Sequence, residues 1–301
     1  MSGRPAPSIS LVVAAYQMAR ELPRTLRSLL PSYQRDAPDL PWEIIVVDNG
    51  SPVPLELEPW NEPSAEVRLV RLEGDGHGSV APALNHGLGL ARGDLVGIWI
   101  DGARMASPGL LGACFRAAAL HPRAVIATRN FHIGPALQHS ESMAGYDQKA
   151  EDILLASIGW PEGADRLAEI STPEQVDPTG LLLETNALFM KRILWNELGG
   201  FDTRFRGPGG GATNVDMFLR ACAAPDTQLI RILGEGTFHQ FHGGVTTGAG
   251  QLGAAHLLKM GSKQYMRLRG RPLRAVREIG WLYDSRAGLI EPPALDRRPH
   301  G

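Results

Sequence analysis

The first half of the chain alternates between two patterns of hydrophobic and polar positions. Short apolar runs rich in Val and Ile predict buried strands, and apolar residues three or four positions apart between them predict helices. The predicted strands cover residues 8–15, 43–47, 67–72, 94–100 and 123–128. Because these runs are apolar throughout, as in strands covered on both faces, they predict an α/β fold with a mostly parallel central sheet and helices on both faces.

Two of the predicted strands end on an aspartate. Asp48 opens the turn sequence DNGS, and Asp101 directly follows the run DLVGIWI. In parallel α/β sheets, ligands bind beyond the carboxyl ends of the strands. The sequence therefore predicts a ligand site around these two carboxylates.

The second half of the chain has a less regular pattern. Residues 130–178 predict a long connection with one or two helices that shapes a binding site, and residues 251–283 predict a basic helical stretch. We therefore expect a donor-side half at 8–128, an acceptor-side half at 129–250, a C-terminal helical segment at 251–290 and a disordered tail at 291–301.

Composition and charge narrow the class of protein. The chain has 301 residues, of which 43% are hydrophobic, and a net charge of −2, which lacks the basic excess of nucleic-acid binders. Its two cysteines, Cys114 and Cys222, have no metal-type spacing. The polar start, Met1 to Ser8, lacks the pattern of a signal peptide, and no apolar run reaches the ~18 residues of a membrane span. We predict a cytoplasmic protein with at most peripheral membrane contact through its basic helix; homo-oligomerisation is left open.

Several segments, taken in order, resemble family 2 glycosyltransferases with the GT-A fold. They are AAYQ at 14–17, EIIVVDNGS at 43–51, residues 78–93 leading into LVGIWIDGA, and GGFDTRF at 199–205. The resemblance covers residues 8 to 245. It implies transfer of a sugar from a nucleotide-diphosphate sugar, carrying UDP, GDP or dTDP, to a hydroxyl or amine. The acceptor would be a small molecule, a saccharide or a lipid-linked molecule.

The resemblance also implies which residues hold the donor. Ala14 and Tyr16 would lie beside the nucleotide base, and Asp48 would accept a hydrogen bond from its ring N–H, a task suited to an acceptor-only carboxylate. Gly78 and Asn85 belong to the region that would surround the donor. The residues alone leave two alternatives open, in which Tyr16 only caps the sheet and Asp48 only opens a turn.

The metal motif of the family is incomplete in this chain. Family members usually carry Asp-X-Asp, which holds a divalent cation on the diphosphate, but here Asp101 is followed by Gly-Ala-Arg104. Either Asp101 binds Mn²⁺ or Mg²⁺ with help from His242, where many members have a late metal-binding histidine, or Arg104 supplies positive charge directly. A spacing of three on an extended strand predicts that His239 and His242 face opposite sides. We therefore expect His242 alone to be a ligand and His239 to be structural, unless a bend lies between them.

The acid expected to act as catalytic base is also replaced. The family usually shows Glu-Asp after the GGFD segment, and here Asn214 stands where the acid is expected, although an amide takes no proton at neutral pH. Asp216 is the nearest substitute, unless it is only a first-turn helix acid; a retaining reaction would need no such base. Glu184 and Asn186 are predicted to bind the acceptor, and Trp160 to stack on its sugar or to lie in the core.

The replacements at Ala103 and Asn214 support a second hypothesis. A non-catalytic relative that binds a nucleotide or a partner would also tolerate Ala103 and Asn214. A sugar-phosphate nucleotidyltransferase is disfavoured, because no Gly-rich basic loop follows the first strand, and no GxSxG motif indicates a serine hydrolase. We expect an active glycosyltransferase.

Overall fold

The computed structural model of the protein describes residues 8–37, 39–57, 62–73, 79–140, 143, 145–177, 180–207, 210–242, 250–276 and 278–290. Its strands are β1 (Ile9–Ala15), β2 (Trp42–Asp48), β3 (Ala65–Arg71), β4 (Leu95–Trp99), β5 (Arg104–Ala106), β6 (Ala124–Ile133), β7 (Ser171–Pro173), β8 (Ala187–Lys191), β9 (Gln228–His239), β10 (Trp281–Asp284) and β11 (Gly288–Ile290). Its α-helices are α1 (Leu22–Ser28), α2 (Ala81–Leu90), α3 (Leu110–Ala118), α4 (Gln148–Ser157), α5 (Arg192–Leu198), α6 (Thr213–Ala223) and α7 (Gly250–Arg269), with a 3-10 helix at Ala164–Ile170.

These strands form one mixed sheet in the order β11-β10-β9-β6-β8-β4-β1-β2-β3, with β5 paired to β9 and β7 paired to β6. The pairs β1–β2, β1–β4, β2–β3, β6–β9 and β9–β10 are parallel. Strand β8 lies between β4 and β6 and is antiparallel to both. The predicted α/β fold with a mostly parallel central sheet is confirmed.

Helices cover both faces of the sheet. In β1, Leu11 and Val13 pack with the leucines of α1 and α3 on one face. Val12 and Ala14 pack with α2, α5 and α6 on the other. Because successive side chains of a strand point to opposite faces, two covered faces require an apolar residue at nearly every position. This requirement explains the uninterrupted apolar runs in the sequence.

The structure differs from the expected layout in two places. Strand β6 continues past residue 128 to Ile133, so it crosses the boundary expected between the two halves. The segment expected to be helical over 251–290 is helical only to Arg269, and β10 and β11 then extend the sheet. These two strands have four and three residues, too few for a periodic pattern. The expected tail at 291–301 lies outside the described residues.

Among the described residues, no helix is both long enough and apolar enough to cross a membrane.

Candidate active site

Asp101, in the short turn after β4, forms an ion pair with Arg104, the first residue of β5. Asp101 Oδ2 accepts a hydrogen bond from Arg104 Nε at 2.8 Å, and its Oδ1 accepts one from the Ala103 N–H at 3.0 Å. The Arg104 side chain is buried, and its Nη1 donates to Asn130 Oδ1 on β6 at 2.5 Å. The guanidinium is therefore held between the carboxylate that follows β4 and an amide of β6.

Two histidines lie near this ion pair, His239 at the end of β9 and His242 just after it. The Nε2 atoms of His239 and His242 lie 3.0 Å apart, and Asp101 Oδ2 is 3.9 Å from His239 Nε2. One ligand atom from each of the three residues lies within 4.8 Å of the others. The expectation that the two histidines face opposite sides is wrong, because β9 ends at His239 and the alternation of an extended strand does not continue to His242.

The chemistry of this cluster fits a divalent cation. Carboxylate oxygen and imidazole nitrogen together are ligands for first-row divalent metals, among them Mn²⁺. A histidine must be neutral to bind a metal. Burial, followed by the nearby charge of Arg104, lowers the pKa of His239 well below its usual range, so its ring is neutral near pH 7.

A cavity of about 310 Å³ adjoins the Asp101–Arg104 ion pair through Asn130. Asn130, the partner of Arg104, lines it, as do Glu174, Glu184 and Asn186. Glu184 Oε2 accepts a hydrogen bond from the Asn214 side chain at 2.9 Å. Burial raises the pKa of Glu184, and the negative charge of Glu174 adds to this effect. Two of the residues expected to bind the acceptor thus share one cavity.

Trp160, the third of these residues, lies elsewhere. It is not among the described residues that line the cavity. Its ring lies 6.4 Å from that of Tyr33, in a small apolar cluster under the 3-10 helix. This position corresponds to the core alternative rather than to the expected stacking on a sugar.

Asp216 has surroundings unsuited to a base. It is fully buried in the first turn of α6. Arg220 Nε donates to its Oδ2 at 2.9 Å, and Arg269 donates to Oδ1 and Oδ2 at 2.6 and 2.7 Å. Two guanidinium groups stabilise the ionised carboxylate and occupy both of its oxygens, so the residue ties α6 to α7. The geometry argues against the catalytic role expected for Asp216.

The residues expected to contact the nucleotide base lie at the ends of β1 and β2. Ala14 is buried near the end of β1, and Tyr16 follows it, half-buried. Asp48 ends β2; its Oδ1 accepts from the Ser51 N–H and its Oδ2 from Arg71 Nη1, both at 2.9 Å. Asp48 therefore opens a turn, the alternative interpretation of its sequence. Its Oδ2 also accepts from the Leu55 N–H at 3.4 Å, whereas Oδ1 retains further acceptor capacity.

The two remaining donor residues are Asn85 and Gly78. The Asn85 amide exchanges two hydrogen bonds with the backbone of Phe201, each 2.8 Å long. It thereby fixes α2 to the GGFD segment, which leaves a positioning role rather than the expected donor contact. Gly78 lies outside the described residues.

Several partners in the site had weak sequence signals or none. Asn130 and Glu174 come from the irregular region 130–178 and belong to no motif. Arg71 ends a strand whose polar positions did not indicate Asp48 as a partner. Their roles follow from the pairing of β2 with β3 and of β6 with β7, which brings distant segments together.

The mixed α/β sheet, with Asp101, His239 and His242 close together near the ends of β4 and β9, has the architecture of a GT-A fold. The family model described as Glycosyl transferase family 2 matches residues 10–167, just over half of the 301 residues. The chain belongs to this family, which confirms the predicted family. The matched span includes Asp48, Asp101 and Arg104 and ends before Glu184 and the two histidines.

Solved structures share the fold at low sequence identity. S. aureus TarS 1-349 in complex with UDP-GlcNAc has a TM-score of 0.51 and 12% identity, over 86% of this chain and 66% of that chain. The mannosyltransferase PcManGT from Pyrobaculum calidifontis, in complex with GDP-Man and Mn²⁺, has a TM-score of 0.52 and 18% identity, over 89% and 66%. The chain thus spans slightly less than two thirds of the length of these proteins. No curated protein sequence matches the chain.

Proposed function

We propose that this protein transfers a sugar from a nucleotide-diphosphate sugar to a hydroxyl or amine acceptor. The observation that carries the proposal is the convergence of Asp101, His239 and His242 within 4.8 Å, in a family 2 chain and beside a cavity lined by polar residues. The complexes of the two solved structures, with UDP-GlcNAc and with GDP-Man and Mn²⁺, support a donor of this class.

The cluster would serve the leaving group of the reaction. Asp101, His239 and His242 would hold a divalent cation, which would supply positive charge beside the leaving nucleoside diphosphate. Two imidazole ligands favour Mn²⁺ over Mg²⁺. Arg104 orients Asp101 through their 2.8 Å hydrogen bond and adds a fixed positive charge of its own.

The other residues divide between the two substrates. Ala14, Tyr16 and Asp48, with Gly78, would face the nucleotide; UDP, GDP and dTDP are the candidate nucleotides. The cavity that contains Glu184 and Asn186 would take the acceptor, whether a small molecule, a saccharide or a lipid-linked molecule.

Thermal unfolding with UDP, GDP and dTDP, each with Mn²⁺ or with EDTA, tests the donor site. A nucleotide present at 100 times its dissociation constant stabilises the folded state by about 2.7 kcal/mol. We expect one nucleotide to raise the Tm with Mn²⁺ and to lose most of this effect in EDTA or in the His242→Ala variant. His256→Ala, at an exposed position of α7, is the matched control and should retain the full effect.

The remaining outcomes separate the alternatives. Stabilisation that survives EDTA would transfer the charge-stabilising role from the cation to Arg104. No stabilisation by any of the three nucleotides would contradict the proposal. Binding of a nucleotide without consumption of any nucleotide sugar would favour the non-catalytic relative, which the replaced acid at Asn214 also favours.

A further inference from the structure

The cavity beside the metal-binding cluster holds a carboxylate in an unusual place. The residue at position 214, where family members usually carry an acid, is an asparagine, and its side-chain nitrogen lies 2.9 Å from Glu184 Oε2. The two side chains are 30 positions apart in sequence and come from the segment before β8 and from the first turn of α6. A carboxyl group is therefore present within one hydrogen bond of the side chain at position 214.

We infer that Glu184 is the catalytic base that deprotonates the acceptor, its carboxyl group replacing the acid usually found at position 214. The inference rests on the proposed function and assigns Glu184 a chemical step rather than only contact with the acceptor. Asp216, the other candidate, is excluded by its hydrogen bonds to Arg220 and Arg269.

The surroundings of Glu184 meet the requirements for a base. The residue lines the cavity, so an acceptor hydroxyl bound there can reach it. Its hydrogen-bond partner Asn214 is a neutral amide, and among the described residues no cation lies within ion-pair distance of its carboxylate. Glu174, Arg129 and Arg231 line the same cavity, and the positive charge of Arg104 also acts on Glu184.

These charges act on the proton affinity of Glu184 in opposite directions. Burial and Glu174 raise the pKa of Glu184, whereas the Asn214 hydrogen bond and Arg104 lower it, and the net shift is upward. A base with a pKa closer to the working pH takes a proton more effectively in the transition state. The cavity therefore makes this glutamate a stronger base than an exposed one.

The reaction balances with this assignment. The acceptor O–H gives its proton to a Glu184 carboxylate oxygen as the acceptor oxygen forms a bond to the anomeric carbon of the donor. The bond between that carbon and the diphosphate oxygen breaks, and the electron pair leaves with the nucleoside diphosphate. Water takes the place of the acceptor when the donor is hydrolysed, so donor hydrolysis reports the same proton transfer.

The test compares Glu184→Gln with the wild type, using UDP-GlcNAc, UDP-glucose, GDP-Man and dTDP-glucose as probes. Nucleoside diphosphate release measures turnover, and the Tm shift with nucleotide and Mn²⁺ measures binding. We expect kcat to fall by about 10²- to 10⁴-fold, the usual contribution of a general base, while the Tm shift is unchanged. The isosteric glutamine can still accept the Asn214 hydrogen bond, so the fold is preserved.

Two further variants separate catalysis from structure. The double variant Glu184→Gln/Asn214→Asp exchanges the acid and the amide between the two positions. Its kcat should be at least about tenfold higher than that of Glu184→Gln, because the second substitution returns a carboxylate to the cavity. Glu174→Gln should move the acid limb of the kcat/KM profile to lower pH, because it removes a negative charge that raises the pKa of Glu184.

Each outcome decides one claim. If Glu184→Gln turns over a donor within tenfold of the wild type, or loses nucleotide binding together with turnover, the inference is overturned and the proposed function stands. If no probe binds to or is consumed by the wild type, the proposed function fails and the inference fails with it.

Discussion

The contact between α6 and α7 holds the fully buried carboxyl group of Asp216, and the cavity beside β6 and β8 holds the half-buried one of Glu184. In the first region, the Asp216 carboxylate receives three hydrogen bonds from two guanidinium groups. In the second, Glu184 receives one from the neutral amide of Asn214. The carboxylate compensated by cations stabilises the packing of two helices, whereas the one left with a neutral partner remains available for proton transfer. The two carboxyl groups differ in their partners, which are cations for the structural Asp216 and a neutral amide for the proposed base Glu184.

The largest effect expected from this comparison is on stability at Asp216. In Asp216→Asn, Arg220 and Arg269 lose the charge that compensates them, and removal of one partner of a buried ion pair typically costs about 3–5 kcal/mol. Urea unfolding should show a loss near the lower limit of that range, because both arginines retain some contact with water. Asp226→Asn, at an exposed turn, is the control and should change the unfolding free energy by less than about 0.5 kcal/mol. A loss below about 1 kcal/mol for Asp216→Asn, on the order of a surface pair, would contradict the structural role.

Glu151 is intermediate between Asp216 and Glu184, because it is buried and also has cationic partners. We expect it to make the stability of the protein depend on pH. It is buried on α4 beside Arg20 and Arg24, and burial raises its pKa from an ordinary 4.5 to about 7. The folded protein then binds this proton more tightly than the unfolded chain. The associated stability is fully present below pH 4.5 and is lost as the pH rises through about 7.

Glu151→Gln removes this titration. Its unfolding free energy relative to the wild type should increase between pH 5 and 8 by up to about 3 kcal/mol, at about 1.4 kcal/mol per pKa unit. Urea unfolding across this pH range measures the difference. Asp152→Asn is the matched control, since the pKa of Asp152 is lowered by Arg24 and Arg20 despite some burial, and its stabilising contribution is lost only as the pH falls. A flat difference for Glu151→Gln would show that Arg20 and Arg24 compensate the glutamate fully.

The smallest expected effect is on the unfolding free energy of the protein when Glu184 is replaced. Replacing an ionised carboxylate that lacks a cation partner with an amide relieves its desolvation, so Glu184→Gln should match the wild type or exceed it by at most about 1 kcal/mol at pH 7. The advantage should grow as the pH rises, because the folded-state pKa of Glu184 is raised. Urea unfolding at pH 5 and pH 8 checks this trend. A large loss of stability would place Glu184 in the same class as Asp216.

Much of the fold followed from local pattern alone. The apolar runs of β1, β2 and β4 and the helical spacing of α1 and α2 predicted the parallel half of the sheet, because a strand with two covered faces must be apolar at nearly every position. Strands β10 and β11 were not predicted, since a strand of three or four residues has too few positions to show a period.

The residues of the candidate site likewise include some that local sequence predicted and some that it did not. Asp101 was located by its place after a predicted strand, and the family resemblance led to Arg104 and His242. The part played by His239 was missed, because the end of β9 before His242 is set by tertiary contacts: Gln240 N–H donates to the Ala103 carbonyl, and the Phe241 N–H to the Glu151 carboxylate.

By itself, the sequence determined the α/β class, the strand ends that carry the site, and the absence of an acid at position 214. Only the tertiary structure decided that the Asp216 carboxylate has cationic partners and that the Glu184 carboxylate has a neutral one. Periodicity reports which face of an element is buried, but the partner of a charged side chain depends on segments far away in sequence. Asp216 meets Arg269 across 53 positions and Glu184 meets Asn214 across 30, and no local pattern encodes either contact.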